Sequence, residues 1–97
     1  MKKALTLLGF ARKAGRLAVG TASATDAIKR KKAYLAITAA DISEKSSKEI
    51  RFLCEKSEIP FIKPELTTYE ITEAIGTRAG IIAVLDEGFA RAIAENL

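Results

Sequence analysis

The chain has 97 residues, of which 48% are hydrophobic and 29% charged, with 16 lysines and arginines against 12 acids for a net charge of +4. This length predicts one domain over residues 1–97, because a second domain would leave neither half a sufficient core. The composition excludes a disordered chain, and the first apolar stretch is too short for a signal peptide or a membrane span. We therefore expect a cytoplasmic globular protein with no membrane partner.

Helices and strands are predicted to alternate along the chain. Apolar residues at helical spacing indicate the helices, and short continuous apolar runs indicate the strands. In chain order the predicted elements are a helix over 2–14, a strand over 17–19, a helix over 21–31, a strand over 34–40, a helix from 41 onwards, a strand over 61–62, a helix after residue 67, a strand over 81–85 and a helix over 86–97.

Local signals predict where several helices begin and end. Thr67 and Glu70 have the spacing of a capping box, in which the two residues satisfy each other's backbone N–H groups. Gly76 is expected to end the same helix. The helix over 21–31 is expected to be capped by Ser23, which has capping-box spacing, or by Thr21.

Two predicted strands, over 34–40 and 81–85, are apolar throughout, which is typical of strands that are covered on both faces. Their alternation with helices predicts an α/β fold in which a sheet lies between helix layers. The last helix is expected to turn Phe89, Ala92 and Ile93 toward the core. Most of the four phenylalanines and two tyrosines are also expected to be core residues.

The residue types restrict the possible chemistry. The chain has no histidine and one cysteine, so it lacks the commonest general base and zinc ligand and cannot form an internal disulfide. Cys54 lies four residues after Ile50 on an apolar helical face, which predicts a core role. No glycine-rich phosphate loop follows a strand. We predict a protein that is not an enzyme and needs no cofactor or metal.

The charge is distributed unevenly along the chain. Residues 1–32 hold nine cations and one acid, for a net charge of +8, whereas residues 33–97 hold seven cations and eleven acids, for −4. A basic first third indicates a polyanionic partner, of which nucleic acid is the obvious class. The alternative is that these cations only solvate helix faces near the chain end.

Two turns rich in small residues lie near cations. One is Gly20–Thr21, and the other is the GTRAG turn over 76–80. Glycine lets a ligand's backbone approach closely, and free N–H groups at a helix start bind phosphate, although glycines that only cap and turn would look the same. We expect three groups of cations to gather beside these turns: Arg12, Lys13 and Arg16; Lys29 to Lys32; and Arg78.

Together these features resemble the kink-turn RNA-binding family of ribosomal proteins (the L-seven-Ae and L-thirty-e type), especially its bacterial YlxQ-like members. The resemblance covers essentially the whole chain and is carried by LLGFARKAGRLAVG, YLAITAAD, FLCEKSEIPF and EAIGTRAGIIAVLDEGFA in this order. It implies a three-layer α/β/α sandwich with a mixed four-stranded central sheet. It also implies binding to a kink-turn or related internal loop of RNA. We expect the structured RNA to be ribosomal RNA or part of a ribonucleoprotein, and the chain to be a monomer.

The family reads RNA with a Gly-x-Asn-Glu-x-x-Lys segment at the start of the second helix and with a loop before the last strand. Gly20 matches this segment, but Ala22, Ser23 and Asp26 stand at the Asn, Glu and Lys positions. We therefore predict RNA binding of modest sequence selectivity, dominated by phosphate contacts. The predicted RNA-binding residues are Arg12, Lys13, Arg16, Gly20, Thr21, Ser23, Lys29, Arg30, Lys32, Arg78 and Ala79.

Two other functions stay open. The altered turn is also compatible with a protein-interaction module that binds a partner protein or the ribosome surface. Because similar folds precede RNA 2′-O-methyltransferase domains, the chain is also compatible with a detached substrate-recognition domain that acts with a separate enzyme.

Overall fold

The predicted order of helices and strands is confirmed. The computed structural model describes residues 1–97. Its elements are α1 (Lys2–Lys13), β1 (Leu17–Val19), α2 (Thr21–Lys29), β2 (Leu35–Thr38), α3 (Glu44–Ser57), β3 (Phe61–Ile62), α4 (Thr68–Ile75), β4 (Ile81–Val84) and α5 (Glu87–Glu95). Most elements agree closely with the predicted ranges and are slightly shorter at their ends.

The four strands form one mixed sheet in the order β1-β4-β2-β3. β4 pairs antiparallel with both β1 and β2, and β3 pairs parallel with β2. The carboxyl ends of β1, β2 and β3 therefore lie at the same end of the sheet as the amino end of β4. We call the segments at this end, residues 20–23, 39–43 and 76–80, the turn end.

Helices cover both faces of the sheet, which confirms the predicted three-layer α/β/α sandwich. α1, α4 and α5 pack on one face, and α2 and α3 pack on the other. Side chains of β4 alternate between the two cores, with Ile82 and Val84 on the first face and Ile81 and Ala83 on the second. Because both faces are buried, strands that are apolar throughout are stable here.

The core is aliphatic rather than aromatic, and the prediction that most aromatic residues are buried is wrong. Phe52 is 66% exposed and Tyr69 is 72% exposed, and Phe10 and Tyr34 are also exposed. The space between the layers is filled mainly by Ala, Ile, Leu and Val side chains. Helical periodicity predicts which residues lie on the same face of a helix. It does not show whether the neighbouring layer has room for an aromatic ring on that face.

Two core predictions have different outcomes. Cys54 is fully buried among α2 and α3 side chains, as predicted, and burial raises the pKa of its thiol to about 11. The thiol therefore stays protonated at neutral pH and is a poor nucleophile. In α5 the buried residues are Ala90 and Ile93, whereas Ala92 is only partly covered because its side chain lies beside this stripe.

Candidate nucleic-acid interface

Gly20 shapes the first turn of the turn end. Its N–H donates to the Ile81 carbonyl at 2.9 Å, which extends the pairing of β1 with β4 by one residue. Its φ of 94° and ψ of 163° form a conformation that is essentially restricted to glycine. No atom lies within 4 Å of the place where a Cβ would stand. Conformation, and not crowding, therefore requires glycine here, and the backbone is open to an approaching ligand.

The start of α2 has no side-chain cap. Gly20 is the N-cap residue, and no side chain accepts a hydrogen bond from the first turn, so the predicted capping by Ser23 or Thr21 is wrong. Both residues are exposed, as is Ala22. The first intrahelical hydrogen bond runs from the Ala24 N–H to the Gly20 carbonyl. The N–H groups before it are free to bind an anion.

The loop from Gly76 to Gly80 forms the second turn. Gly76 ends α4 with a φ of 79°, as predicted, and Arg78 is exposed. Ala79 was predicted to contact RNA, but its side chain is 4% exposed and belongs to the core under α1, α4 and α5. Its N–H donates to Thr72 Oγ1 at 3.3 Å. Of the two predicted contact residues in this loop, only Arg78 presents its side chain to a ligand.

Asp41 holds the third segment of the turn end in place. Its Oδ1 accepts hydrogen bonds from the Thr68 N–H at 2.9 Å and the Thr68 hydroxyl at 2.8 Å. The loop after β2 is thereby tied to the start of α4, where the helix dipole also favours a negative charge. The Thr68 hydroxyl and then the Thr68 N–H lower the pKa of the Asp41 carboxyl from its ordinary value of 3.8.

This lowered pKa predicts a loss of stability in acid. A carboxylate with a lowered folded pKa stabilises the fold above the unfolded pKa, and this contribution disappears as the pH falls through the folded value. We expect the thermal unfolding temperature of the wild type to exceed that of Asp41→Asn at pH 7, and the difference to vanish in acid. The control is Glu65→Gln, which changes an exposed carboxylate. A wild-type advantage that persists unchanged in strong acid would contradict the assignment.

Lys63 supports the same loop from beneath, and nothing in the sequence pattern pointed to it. Its Nζ donates to Ser47 Oγ at 2.8 Å and to the Ile42 carbonyl at 3.2 Å. It lies 3.6 Å from Glu44 Oε1, and its side chain is 20% exposed. Because its donors are directed into the protein, Lys63 is a structural residue and does not present its charge to a ligand.

The prediction that the cations gather beside the turns is wrong. The Arg16 carbonyl accepts from the Leu85 N–H at 2.8 Å, which places Arg16 at the end of the sheet opposite Gly20. The three residues of β1 lie between the two positions, which are therefore about 13 Å apart. Arg12 and Lys13 lie at the carboxyl end of α1, which leads directly into this end.

The cations after α2 also lie opposite the turn end. α2 begins directly after Gly20 and runs back along the sheet for 9 residues, or about 13 Å. The chain then enters β2 directly after Tyr34, whose N–H donates to the Val84 carbonyl at 2.8 Å. We call the cluster at this side the basic end; its members are Arg12, Lys13, Arg16, Lys29, Arg30, Lys31 and Lys32, and all are exposed.

The two ends differ in charge. Residues 12–16 and 29–32 carry seven cations and no acid, although Asp86 and Glu87 follow β4 at the same end, beside Arg16. The turn end carries Arg78 and Asp41 as its only charged residues. One cation of the basic end is engaged, because Arg30 Nε donates to Asp26 Oδ1 at 2.9 Å. Both partners are largely exposed, so this pair contributes only roughly 0.2–0.5 kcal/mol.

A groove between α2 and α3 connects the two ends. Its volume is 240 Å³, and it is lined by Thr21, Thr25 and Lys29 on α2, by Phe52 on α3 and by Ile81, among others. The exposed Phe52 ring lines this groove, eight residues after Glu44, the first residue of α3, or about 12 Å along the helix. Unpaired bases stack on exposed rings of this kind. The sequence had predicted most aromatic residues to be in the core and so did not point to Phe52.

No cluster of three or more acidic, cysteine or histidine side chains is arranged to hold a metal ion. None of the helices combines the length and apolar character that crossing a bilayer requires.

Comparison with known proteins gives concordant results. The model of the ribosomal protein L7Ae/L30e/S12e/Gadd45 family matches residues 2–94. The RNA-binding protein YlxQ of Enterococcus faecium is 31% identical over 90 residues, which cover 93% of this chain and 86% of that protein. A protein of unknown function from Bacillus halodurans is 29% identical with a TM-score of 0.92, over 98% of this chain and 96% of that one. A 15.5kD RNA-binding protein from Giardia lamblia has a TM-score of 0.79 at 18% identity, over 97% and 81% of the two chains, and shows the fold alone.

Proposed function

Since the chain belongs to the ribosomal protein L7Ae/L30e/S12e/Gadd45 family, we propose that it binds structured RNA, mainly through phosphate contacts. Its Enterococcus relative is named as an RNA-binding protein. The observation that carries the proposal is the cluster of seven exposed cations without an acid at 12–16 and 29–32. Such a cluster is the electrostatic footprint of a nucleic-acid-binding surface.

The proposed target is a kink-turn or a related internal loop in ribosomal RNA or a ribonucleoprotein. The free N–H groups at the start of α2 support contact with a phosphate, and the exposed Phe52 ring supports stacking of an unpaired base. In this proposal the protein acts in the cytoplasm as a single domain and as a monomer. Selectivity is modest, because Ala22 and Ser23 replace the residues with which the family reads base edges.

Salt dependence tests this function. With about four phosphate contacts, the logarithm of the association constant should fall against the logarithm of salt concentration with a slope of roughly −3. We expect this slope in fluorescence anisotropy with an RNA hairpin that contains an internal loop. Heparin should compete with the RNA, because the contacts are to backbone charge. A flat salt response, or no binding at low salt, would refute the proposal.

A second candidate function is a ribosome-associated protein-interaction module that has lost kink-turn reading. The exposed Ala22, Ser23 and Asp26 at the start of α2 favour it, since none of them can replace the family's reader at its position. The two functions predict different results when the family's Asn, Glu and Lys are restored in place of Ala22, Ser23 and Asp26. Tight kink-turn binding is then expected of an RNA-binding protein and not of a protein-interaction module.

A further inference from the structure

We propose that the basic end, and not the turn end, provides most of the RNA affinity of this chain by holding the phosphate backbone of an RNA double helix. The inference rests on the proposed RNA binding and adds the location of the docking surface and the form of RNA that it fits. The turn end would then meet a neighbouring internal loop and contribute little charge.

The arrangement of the three cationic segments supports a double helix. β1 is an edge strand of the sheet, with α1 packed on one face and α2 on the other. Arg16 lies at the edge between the carboxyl ends of these two helices. Because each layer is about 10 Å from the next, the cations span on the order of 20 Å. Double-stranded DNA carries a phosphate for every ~1.7 Å of axis. An RNA duplex is at least as dense in phosphates, so it can face all three segments at once.

Helix capping does not explain all of these charges. Cations in the last turn of a helix stabilise its dipole, which accounts for Arg12, Lys13 and Lys29. Arg16, Lys31 and Lys32 lie outside the helices. They are the informative residues for a test.

Lys31 occupies a position that usually belongs to glycine. Its φ is 56°, and its N–H donates to the Ile28 carbonyl while the Lys32 N–H donates to the Ala27 carbonyl. This is the left-handed turn with which helices commonly end, and glycine adopts it without strain. The chain instead carries lysine there, at a cost in stability, and so keeps four consecutive cations.

The test compares two triple variants of equal net charge. Arg16→Gln, Lys31→Gln and Lys32→Gln change the basic end. Lys3→Gln, Lys45→Gln and Lys48→Gln change exposed lysines in the first two turns of α1 and α3, and serve as the matched control. The probe is an RNA duplex of roughly 20 base pairs, which exceeds the ~16 that a double-stranded-RNA-binding domain spans.

We expect the basic-end variant to bind at least about tenfold more weakly than the wild type, with a salt slope smaller in magnitude by about 2–3. The control should stay within about twofold of the wild type, and Arg78→Gln should change the slope by at most about 1. Equal thermal unfolding temperatures of the two triple variants show that both are folded.

The outcomes separate this inference from the proposed function. Wild-type protein that binds no RNA at low salt overturns both. Wild-type binding to the internal-loop hairpin with equal losses in the two triple variants, or with none, overturns only the basic end as the docking surface. Binding to the hairpin without binding to the duplex also overturns only this inference.

Discussion

Ala22→Asn, Ser23→Glu and Asp26→Lys together are expected to raise the affinity for a standard kink-turn RNA by a factor of hundreds. The backbone that must present these side chains is already in place, because Gly20 caps α2 in its glycine-only conformation and the three positions are exposed. A good base-reading contact contributes about 1–3 kcal/mol, and two such contacts give this factor. Asp26→Lys also releases Arg30 from its ion pair.

Two controls distinguish base reading from added charge. Asp26→Lys alone should strengthen binding to all RNAs by a similar, small factor, since it changes only the electrostatics. A kink-turn whose sheared G·A pairs are replaced by Watson–Crick pairs should gain nothing from the Asn and Glu substitutions. If the folded triple variant binds the kink-turn no better than the wild type does, the turn end is not an RNA site in this chain, and the protein-interaction module is favoured.

Lys63→Met is expected to lower the free energy of unfolding by about 2 kcal/mol, because hydrogen bonds from a charged donor contribute about 1.5–3 kcal/mol. The substitution leaves the fully buried Ser47 hydroxyl and the Ile42 carbonyl without their donor. The loss should lower the thermal unfolding temperature by roughly 10 °C for a domain of this size. Thermal and urea unfolding followed by circular dichroism measure both quantities.

Lys45→Met is the matched control for Lys63→Met, since it removes an exposed lysine from the same region. Surface substitutions of this kind usually change stability by less than about 0.5 kcal/mol. If the two variants are equally stable, the contacts of Lys63 do not hold the loop after β2. RNA binding by Lys63→Met should be unchanged at temperatures where it is folded, because the Lys63 donors are directed into the protein.

The fold could be predicted from the sequence because its signals are local. The Thr67–Glu70 capping box is present, and so is the C-cap at Gly76. Both depend on residues within one or two turns of each other. The apolar runs of β2 and β4 likewise predicted strands that are buried on both faces. Signals of this kind depend only on residues that are close together in the sequence, so they can be identified without the structure.

Contacts between side chains that are far apart in the sequence could not be predicted from local signals. Asp41 meets Thr68 across 27 residues, and Lys63 meets Ser47 across 16; no spacing rule connects such pairs. The prediction that Ser23 or Thr21 caps α2 was also wrong, because the pairing of Gly20 with Ile81 fixes how the chain enters this helix.

The sequence by itself determined the order of the elements, the layered fold and the excess of positive charge in the first third of the chain. Only the tertiary structure decided where that charge lies. Strand direction and the return path of α2 place Arg16 and Lys32 at the end of the sheet opposite Gly20 and Arg78. A segment's composition gives the sign of its charge, but the side of the molecule on which it lies depends on contacts that the segment does not contain.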